Sequence, residues 1–419
     1  MMTTPDHIIP KNTRSLILLS SAYPFGSAET FLEAEIPFLL DAFEHVVILP
    51  MFAEGDARET DPRLIVIPPK PLQTIKMFEL LRGFFRSDGL FVSEWKESPG
   101  YPFSPFLAYR IARTAGIGRR VQRQIRQTLN ELQLDNPVIY SYWLNQNALG
   151  AGLAGKQLGL KTGGRAHGGD LYEERNKGDY LPFQKWKLNH FDAVFTVSEH
   201  GKKYLQNRYP GCRAKILLNR LGTKDEGVSE HLPFSDQQSI HLVSCSSVIP
   251  LKRVDKIYEC VLSLSRLMAK KNFRWTHIGD GPLFSELKEL VKTNPCKNLS
   301  IDLKGRMGNN AIIPFYKSSK ADLIINYSTS EGIPVSIMEA MSCGIPAVAP
   351  TVGGIPELVE EPNGLLFDPD TFPDQLAPKI AEWIKNSSFA EVSENVRIKW
   401  QDEYDRGKNL RSFLNQLGA

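Results

Sequence analysis

Short runs of Val, Ile and Leu alternate with segments of helical periodicity along most of this 419-residue chain. Such runs are typical of strands that are buried on both faces of a parallel sheet, and the segments between them are long enough to serve as crossover helices. The alternation therefore predicts an α/β fold with doubly wound parallel sheets. The predicted strands are 16–20, 46–50, 64–67, 137–143, 164–167, 193–197, 241–245, 273–278, 299–303, 323–326 and 347–349, and the first predicted helices are 30–40, 72–90 and 106–134.

The length of the chain exceeds what a single ordinary core supports and predicts two domains. The strand–helix pattern occurs twice, on either side of a polar stretch from Asn219 to Gly227 that is typical of a linker. We predict a first domain over 1–220, a second over 221–395 and a charged C-terminal helix over 396–419. Residues 1–220 hold 28 Lys and Arg against 22 Asp and Glu, which indicates that the first domain meets an anionic partner.

Composition and cysteine usage predict a soluble cytoplasmic protein. Hydrophobic residues make up 42% of the chain and charged residues 23%, without extremes. The stretch from Met1 to Asn12 lacks an apolar signal region, and no run approaches the length of a membrane span. The five cysteines form no Cys-x-x-Cys pair, which favours reduced thiols over disulfides or zinc. We expect no cofactor, no metal and no nucleic-acid partner.

Two glutamates with seven residues between them mark a candidate site. Glu331 follows the apolar run 322–327, and Glu339 lies inside a helix that is predicted to begin near Pro334 and to end at Gly344. Open α/β sheets bind ligands in the loops after their strands, and a helix start attracts an anion such as phosphate. Carboxylates beside a phosphate site are suited to accept hydrogen bonds from hydroxyl groups. The pattern therefore predicts a nucleotide-sugar site.

The stretch 328–350 resembles the donor-site signature of retaining family 4 glycosyltransferases, and 353–358 and 363–367 are similar to the segments that follow it. The resemblance implies the GT-B fold, with two Rossmann-like domains that face across a cleft and a C-terminal helix that crosses back to the first. It also implies that Glu331 binds the donor sugar and that Glu339 binds the ribose. The backbone that would hold sugar hydroxyls and phosphate is that of Gly332, Ile333, Pro334 and Val335.

The resemblance extends to the loop after the first strand of the second domain. Lys252 matches the lysine that neutralises the departing diphosphate, but Ser247 stands where the family has an arginine. Arg253 either replaces that arginine or points to solvent. Met307 matches a neighbour of the nucleotide base, or is a core methionine.

Three elements of the first domain also match the family. Gly26 lies in the first loop, where a glycine lets the backbone approach the phosphates, although an ordinary turn glycine would look the same. His167 ends a strand and is expected to reach the donor sugar, the alternative being a structural histidine. Arg165 and Asp170, on either side of His167, are candidates for acceptor binding.

Two other motifs carry less weight. The stretch 150–155 is a literal Gly-x-Gly-x-x-Gly with Asp170 downstream, but residues 144–148 separate it from the preceding strand. A dinucleotide site requires the first glycine directly after the strand, so we place these glycines inside a packed helix. Asp368 and Asp370 resemble a metal-binding Asp-x-Asp, but no second carboxylate pair accompanies them.

The sequence therefore predicts a retaining, metal-independent glycosyltransferase that moves a sugar from a nucleoside diphosphate to a hydroxyl of a saccharide or lipid-linked saccharide. It is similar to the bacterial enzymes that build capsular polysaccharide and exopolysaccharide. A UDP-sugar is favoured over a GDP-sugar by its frequency in the family. The alternatives are a nucleotide-sugar epimerase of the same fold and a non-catalytic nucleotide-sugar binding protein.

The stretch 106–128 contains no acidic residue, and its arginines interleave with apolar residues. A basic amphipathic helix of this kind is typical of docking on an anionic membrane surface, which would place the protein on the inner face of the plasma membrane. The alternative is a core helix with a solvated arginine face. The arginines are Arg110, Arg113, Arg119, Arg120, Arg123 and Arg126.

Overall fold

The computed structural model describes residues 12–26, 29–69, 89–235 and 238–418. The chain divides into two compact units. The first comprises the chain up to Asn219 together with Leu410 onward, and the second comprises Arg220–Asn409. Each unit is built on a parallel β-sheet with helices, so the predicted α/β class is confirmed.

The sheet of the first unit has seven strands in the order β3-β2-β1-β4-β5-β6-β7. The chain moves outward from β1 to β3 and then returns to β4 on the other side of β1, which makes β1/β4 a switch point where crevices form at the carboxyl ends of strands. The strands are β1 Asn12–Ser20, β2 Phe43–Pro50, β3 Leu64–Val66, β4 Val138–Ser141, β5 Thr162–Ala166, β6 Ala193–Thr196 and β7 Lys215–Leu218. The helices are α1 Thr30–Ala42, α2 Leu90–Glu97, α3 Pro105–Leu132, α4 Gln146–Leu158, α5 Gln184–His190 and α6 Glu199–Arg208.

The sheet of the second unit has six strands in the order β10-β9-β8-β11-β12-β13, which repeats the same topology with the switch point at β8/β11. The strands are β8 Ser239–Cys245, β9 Asn272–Ile278, β10 Leu299–Gly305, β11 Leu323–Ile325, β12 Ala347–Pro350 and β13 Leu365–Phe367. The helices are α7 Val254–Leu267, α8 Phe284–Thr293, α9 Asn309–Ser318, α10 Val335–Ser342, α11 Ile355–Leu358, α12 Pro373–Asn386 and α13 Phe389–Glu403, and α14 follows at Arg406–Leu417.

Each predicted strand has a counterpart in the structure, and two strands were missed. β7 is a half-exposed edge strand that begins with Lys215, and β13 has only three residues, so neither shows a long apolar run. The C-terminal segment predicted as one helix over 396–419 contains two helices, α13 and α14, which meet near Tyr404. The helix predicted over 72–90 lies outside the described residues except at its end.

Helix α3 is a core helix. Its apolar residues Ile111, Val121 and Ile125 are buried, and a Cβ atom on Gly150 of α4 would lie 2.4 Å from Cβ of Val121. The Gly-x-Gly-x-x-Gly stretch is thus a helix-packing element, as predicted. The apolar residues proposed for membrane docking pack inside the unit. They are therefore not available to insert into a membrane, and only the arginines remain in support of docking. In the described part of the chain, no helix is both long and apolar enough to span a membrane.

A buried ion pair lies in the core of the first unit. Arg165 on β5 is completely buried and donates from Nη1 to Glu35 Oε1 over 2.6 Å and from Nη2 to Asn219 Oδ1 over 2.9 Å. Its guanidinium carbon lies 4.6 Å from the ring centre of Phe413 on α14. Arg165 therefore holds β5, α1 and α14 together, and its burial is incompatible with the predicted contact with an acceptor.

Replacing Arg165 with Ala should lower the free energy of unfolding of the first unit by about 3–5 kcal/mol, because Glu35 would be left as an unpaired buried charge. Urea unfolding followed by tryptophan fluorescence measures this change. Arg63→Ala is the control, since Arg63 forms its ion pairs with Asp61 and Asp41 in solvent and its loss should leave the midpoint unchanged. Equal midpoints for the two variants would contradict a structural role of Arg165.

Candidate functional site

Four loops at the carboxyl edge of the second sheet are joined by backbone hydrogen bonds. The loops follow β8, β9, β11 and β12, on both sides of the switch point. Val248 N donates to Asp280 O over 2.9 Å, Thr329 N to Leu251 O over 2.9 Å and Gly354 N to Gly332 O over 2.8 Å. These bonds fix the loops to one another, so the side chains that they carry have defined positions.

Two glycines allow the loops to come this close. Gly353 has φ 54°, and a Cβ atom there would lie 1.9 Å from the carbonyl oxygen of Glu331. Gly279 has φ 145°, and its Cβ atom would lie 1.8 Å from the carbonyl oxygen of Ser246. Both positions combine a left-handed backbone with backbone contact, which only glycine tolerates.

Glu331 and Lys252 form an ion pair at the centre of these loops. Lys252 Nζ lies 2.5 Å from Glu331 Oε1. The same carboxylate oxygen accepts from Ser328 Oγ over 2.7 Å and from Asn326 Nδ2 over 3.4 Å. Glu331 is 8% exposed, and such a charge is stable in a buried position only when it is paired and hydrogen-bonded. The structure thus brings together two of the three residues predicted to be catalytic.

Glu339 lies in the second turn of α10, as predicted. Burial raises the pKa of its carboxyl to about 8. The charge of Glu339 in turn contributes to raising the pKa values of Cys245, at the end of β8, and Tyr316 of α9, so the three groups form one cluster. The hydroxyl of Tyr316 is buried, and the thiol of Cys245 interacts with it. The cluster therefore holds a carboxyl group that is close to neutral at pH 7.

Helix α10 begins directly after Pro334, in the loop that carries Glu331. Ile333 and Pro334 are buried, whereas Gly332 and Val335 are partly exposed. Helix starts present backbone N–H groups and the positive end of the helix dipole, so this loop can accept an anion next to Lys252.

The residues predicted around Lys252 have different environments. Ser247 is exposed. Arg253 takes φ 45° and donates from Nε to Tyr327 O over 2.9 Å and from Nη2 to Pro369 O over 2.8 Å. Its guanidinium joins two segments of the second unit. Arg253 therefore neither points to solvent nor takes the place of the arginine that Ser247 replaces. Met307 is half-buried just after β10 and is not part of the core cluster of the unit.

In the first unit, Glu29 organises the loop after β1. Its carboxylate accepts hydrogen bonds from the backbone N–H groups of Ser21, Ala22 and Tyr23 and from Trp143 Nε1, over 2.6–2.8 Å. Gly26 in the same loop has φ 62° and donates its N–H to Asp56 O over 3.0 Å. Sequence analysis identified Gly26 and missed Glu29, because a glutamate before a helix carries no signal of its contacts with a preceding loop.

His167 follows β5, and its ring lies 4.2 Å from that of Trp143, measured between ring centres. Asp170 accepts from His167 N over 2.8 Å and from Leu144 N over 2.7 Å, and its side chain is buried. Asp170 therefore fixes the loops after β4 and β5 to each other. The acceptor-binding role of Asp170 stays a prediction.

The two aspartates of the Asp-x-Asp motif form a turn, in which Asp370 N donates to Asp368 Oδ1 over 2.8 Å. Among the described residues no group of three or more His, Cys, Asp or Glu side chains is arranged to hold a metal ion.

The chain is similar to proteins named glycosyltransferases. The putative colanic acid biosynthesis glycosyltransferase WcaL of Escherichia coli K12 is 24% identical over 275 residues, which cover 62% of this chain and 66% of WcaL. The uncharacterized glycosyltransferase MJ1178 of Methanocaldococcus jannaschii is 29% identical over 227 residues, or 53% of this chain and 58% of that protein. The matched region thus spans 58–66% of the length of these two relatives.

Solved structures share the fold over nearly the whole chain. The apo form of the lipopolysaccharide outer core galactosyltransferase WaaB has a TM-score of 0.65 at 15% identity and covers 96% of this chain and 99% of its own. Anabaena Alr3699/HepE in complex with UDP and glucose has a TM-score of 0.61 at 17% identity and covers 97% and 100%. At these identities the likeness establishes the fold.

The strongest assignment concerns the unit that contains the Lys252–Glu331 pair. Residues 241–386 match the family model described as Glycosyl transferases group 1. This region contains the loops joined at the carboxyl edge of the second sheet. The chain therefore has the GT-B fold, and its residues 241–386 are similar to the group 1 family of glycosyl transferases.

Proposed function

We propose that the protein is a retaining glycosyltransferase that transfers a sugar from a nucleoside diphosphate to a hydroxyl of a saccharide or lipid-linked saccharide in polysaccharide biosynthesis. The observation that carries this proposal is the Lys252–Glu331 pair beside the start of α10. A nucleotide sugar needs a cation for its diphosphate and a hydrogen-bond acceptor for its sugar hydroxyls. Lys252 and Glu331 provide these two groups, and they are in direct contact. Relatives named for colanic acid and teichuronic acid biosynthesis support the biosynthetic role.

A UDP-sugar is the donor that we propose. Structural neighbours were solved with UDP, among them HepE and Staphylococcus aureus TarM. The base would lie near Met307, after β10, and the ribose near Glu339. This assignment is tested by thermal shift with a panel of UDP- and GDP-sugars, because a bound ligand raises the apparent stability of the protein.

In this mechanism the diphosphate departs toward Lys252 and the N–H groups at the start of α10, which stabilise the charge that develops on the leaving oxygen. Attack of the acceptor hydroxyl on the same face, with the leaving phosphate accepting the proton, gives retention without a protein nucleophile. Glu331 would accept hydrogen bonds from sugar hydroxyls, in an orientation fixed by Ser328 and Asn326. Arg253 would act indirectly, by supporting the loop that carries Lys252.

Residues of the first unit have supporting roles in this proposal. His167, held against Trp143, is the candidate for a substrate contact, and Gly26 is the candidate for close approach of the backbone to phosphate. A cytoplasmic location and docking on an anionic membrane stay predictions, and the second now rests on the arginine face of α3 alone.

A non-catalytic nucleotide-sugar binding protein is the second candidate. The exposed Ser247 at the position of an expected arginine, and the use of Arg253 for backbone contacts, favour it. Incubation of a bound UDP-sugar with an acceptor mixture separates the two, since a transferase releases UDP and a binding protein does not. Conversion of the donor sugar without acceptor would instead identify an epimerase.

Glu331→Gln should abolish transfer and at the same time increase the affinity for free UDP severalfold. The carboxylate that now holds Lys252 competes with the diphosphate for it, so its loss frees the lysine, while the sugar loses its hydrogen-bond acceptor. Isothermal titration with UDP and a coupled UDP-release assay give the two values. Lys252→Gln should weaken UDP binding. Weaker UDP binding in Glu331→Gln would contradict the competition.

The affinity for UDP should rise as the pH increases from 6 to 9. The carboxyl of Glu339 has a pKa of about 8 because it is buried, and a carboxylate accepts hydrogen bonds from ribose hydroxyls more strongly than a protonated carboxyl does, by about 1 kcal/mol or roughly fivefold in affinity. Glu339→Gln cannot titrate, so it shows only the pH dependence of the nucleotide itself. Identical profiles for the two proteins would exclude the ribose role.

Transfer should continue in EDTA, because the diphosphate charge is assigned to Lys252 and the helix start. The activity of the dialysed enzyme with and without added Mn²⁺ measures this. Loss of activity that Mn²⁺ restores would reassign the leaving-group charge to a metal, and Asp368→Asn and Asp370→Asn would then be tested as its ligands.

A further inference from the structure

A cavity of about 1390 Å³ lies at the carboxyl edge of the sheet of the first unit. Helix α3 forms one wall, and the loops that follow β4 and β5 form another. Its lining includes four cationic side chains, Arg110, Arg113, Arg120 and Lys187, against two carboxylates, Glu54 and Asp170. Even without Arg120, the cations Arg110, Arg113 and Lys187 outnumber the two carboxylates, so the lining carries a net positive charge.

Lys187 on α5 is the most informative of these groups. It is 2% exposed, and its ammonium donates to the carbonyl oxygen of Leu144. Burial lowers its pKa to about 8, although Asp170 and Glu94 act in the opposite direction. An ammonium has three N–H donors, and within the described residues Leu144 is its hydrogen-bond partner. A buried cation with a neutral partner favours an anion beside it.

Two arginines of α3 extend the positive surface toward solvent. Arg110 donates from Nη1 to Lys177 O over 2.5 Å, and burial lowers its pKa. Arg113, one turn further along the helix, is exposed. Neither guanidinium has a carboxylate within ion-pair distance among the described residues. Arginine recognises carboxylates and phosphates through paired N–H groups, so both side chains are available to a charged ligand.

The remaining lining is suited to a sugar ring. Tyr109 and Trp143 provide aromatic faces, and Asn145 and Gln146 provide amide groups, whereas the Asn176 amide nitrogen already donates to Gly169 O and Tyr172 O. Hydroxyl groups need partners that both donate and accept, and the aromatic surface covers the apolar faces of the ring. The combination of cations, amides and aromatics matches a sugar that carries a negative charge better than it matches an isolated anion.

We propose that this cavity is the acceptor site and that the acceptor is an anionic saccharide, bearing a carboxylate or a phosphate. The assignment of the saccharide as the acceptor rests on the proposed transferase function, whereas the binding of an anionic saccharide does not depend on it. The flat surface of a lipid bilayer cannot reach Lys187 in the cavity, which favours a saccharide over a membrane as the occupant.

The test uses the full-length protein without donor and four probes: methyl glucuronide, glucose 1-phosphate, methyl glucoside and inorganic phosphate. Saturating UDP is present throughout, so that glucose 1-phosphate cannot report on a nucleotide site. Isothermal titration should show both anionic saccharides binding about tenfold more tightly than methyl glucoside, the effect of one hydrogen bond to a charged group. The stronger of the two identifies the charge as carboxylate or phosphate.

Arg113→Gln should reduce binding of the anionic saccharides severalfold without changing that of methyl glucoside. Arg126→Gln is the matched control, because Arg126 is exposed on the same helix and does not line the cavity. Lys187→Met should cause the larger loss, and circular dichroism checks that it folds. Equal effects of the two arginine variants would overturn the cavity as the binding site.

The other outcomes are also decisive. The inference is overturned if methyl glucoside binds as tightly as the charged sugars. It is also overturned if phosphate binds as tightly as glucose 1-phosphate. A third outcome would identify a membrane surface instead. In that case the protein binds anionic lipid vesicles but no saccharide, and Arg113→Gln and Arg126→Gln weaken the vesicle binding equally. Failure of UDP to bind the unmodified protein counts against the proposed transferase alone, since the saccharide titrations can be repeated without it.

Discussion

The carboxylate of Glu331 receives three contacts on one oxygen, from Lys252, Ser328 and Asn326, and the geometry of the second unit depends on them. A largely buried ion pair loses more hydration energy than its Coulomb attraction returns unless further hydrogen bonds satisfy it. Here a hydroxyl and an amide provide them. The left-handed Gly353 lets the neighbouring loop close over the backbone of Glu331. The charges are thus held in place before any ligand arrives.

The two sheets share one strand order, but their polar residues are used differently. In the first unit, Glu29, Asp170 and the Arg165–Glu35 pair bind neighbouring backbone or side chains, although Glu35 Oε2 and Arg165 Nε are buried without a hydrogen-bond partner among the described residues. They hold loops and strands in place. In the second unit, Glu339 has a raised pKa, and its charge acts on Cys245 and Tyr316. A carboxyl group whose pKa is shifted this far by its surroundings marks a candidate functional site.

The sequence was sufficient to predict eleven of the thirteen described strands, the start of α10 and the positions of Glu331 and Glu339, because each rests on local pattern. It was insufficient where the role of a residue is determined by a partner that is distant in the sequence. Arg165 lies on a strand that is buried on both faces, so no alternation indicates where its side chain points, and Glu35 is 130 residues away. The carbonyl groups that bind Arg253 belong to two separate loops. Helix α3 is a further example, because its periodicity identifies which residues share a helix face but does not indicate what packs against that face.

Lys252 and Lys187 show how the partner of a buried lysine determines which anions it can bind. The charge of Lys252 is neutralised by Glu331, so an incoming anion must displace a carboxylate, and only a ligand that offers hydroxyl groups to Glu331 compensates for the exchange. Lys187 donates to a carbonyl oxygen and feels Asp170 and Glu94 only as nearby charges, so an arriving anion displaces no carboxylate from it. A site of the first kind selects for the whole ligand, sugar and diphosphate together. A site of the second kind selects for charge, and its specificity must come from the aromatic and amide groups around it.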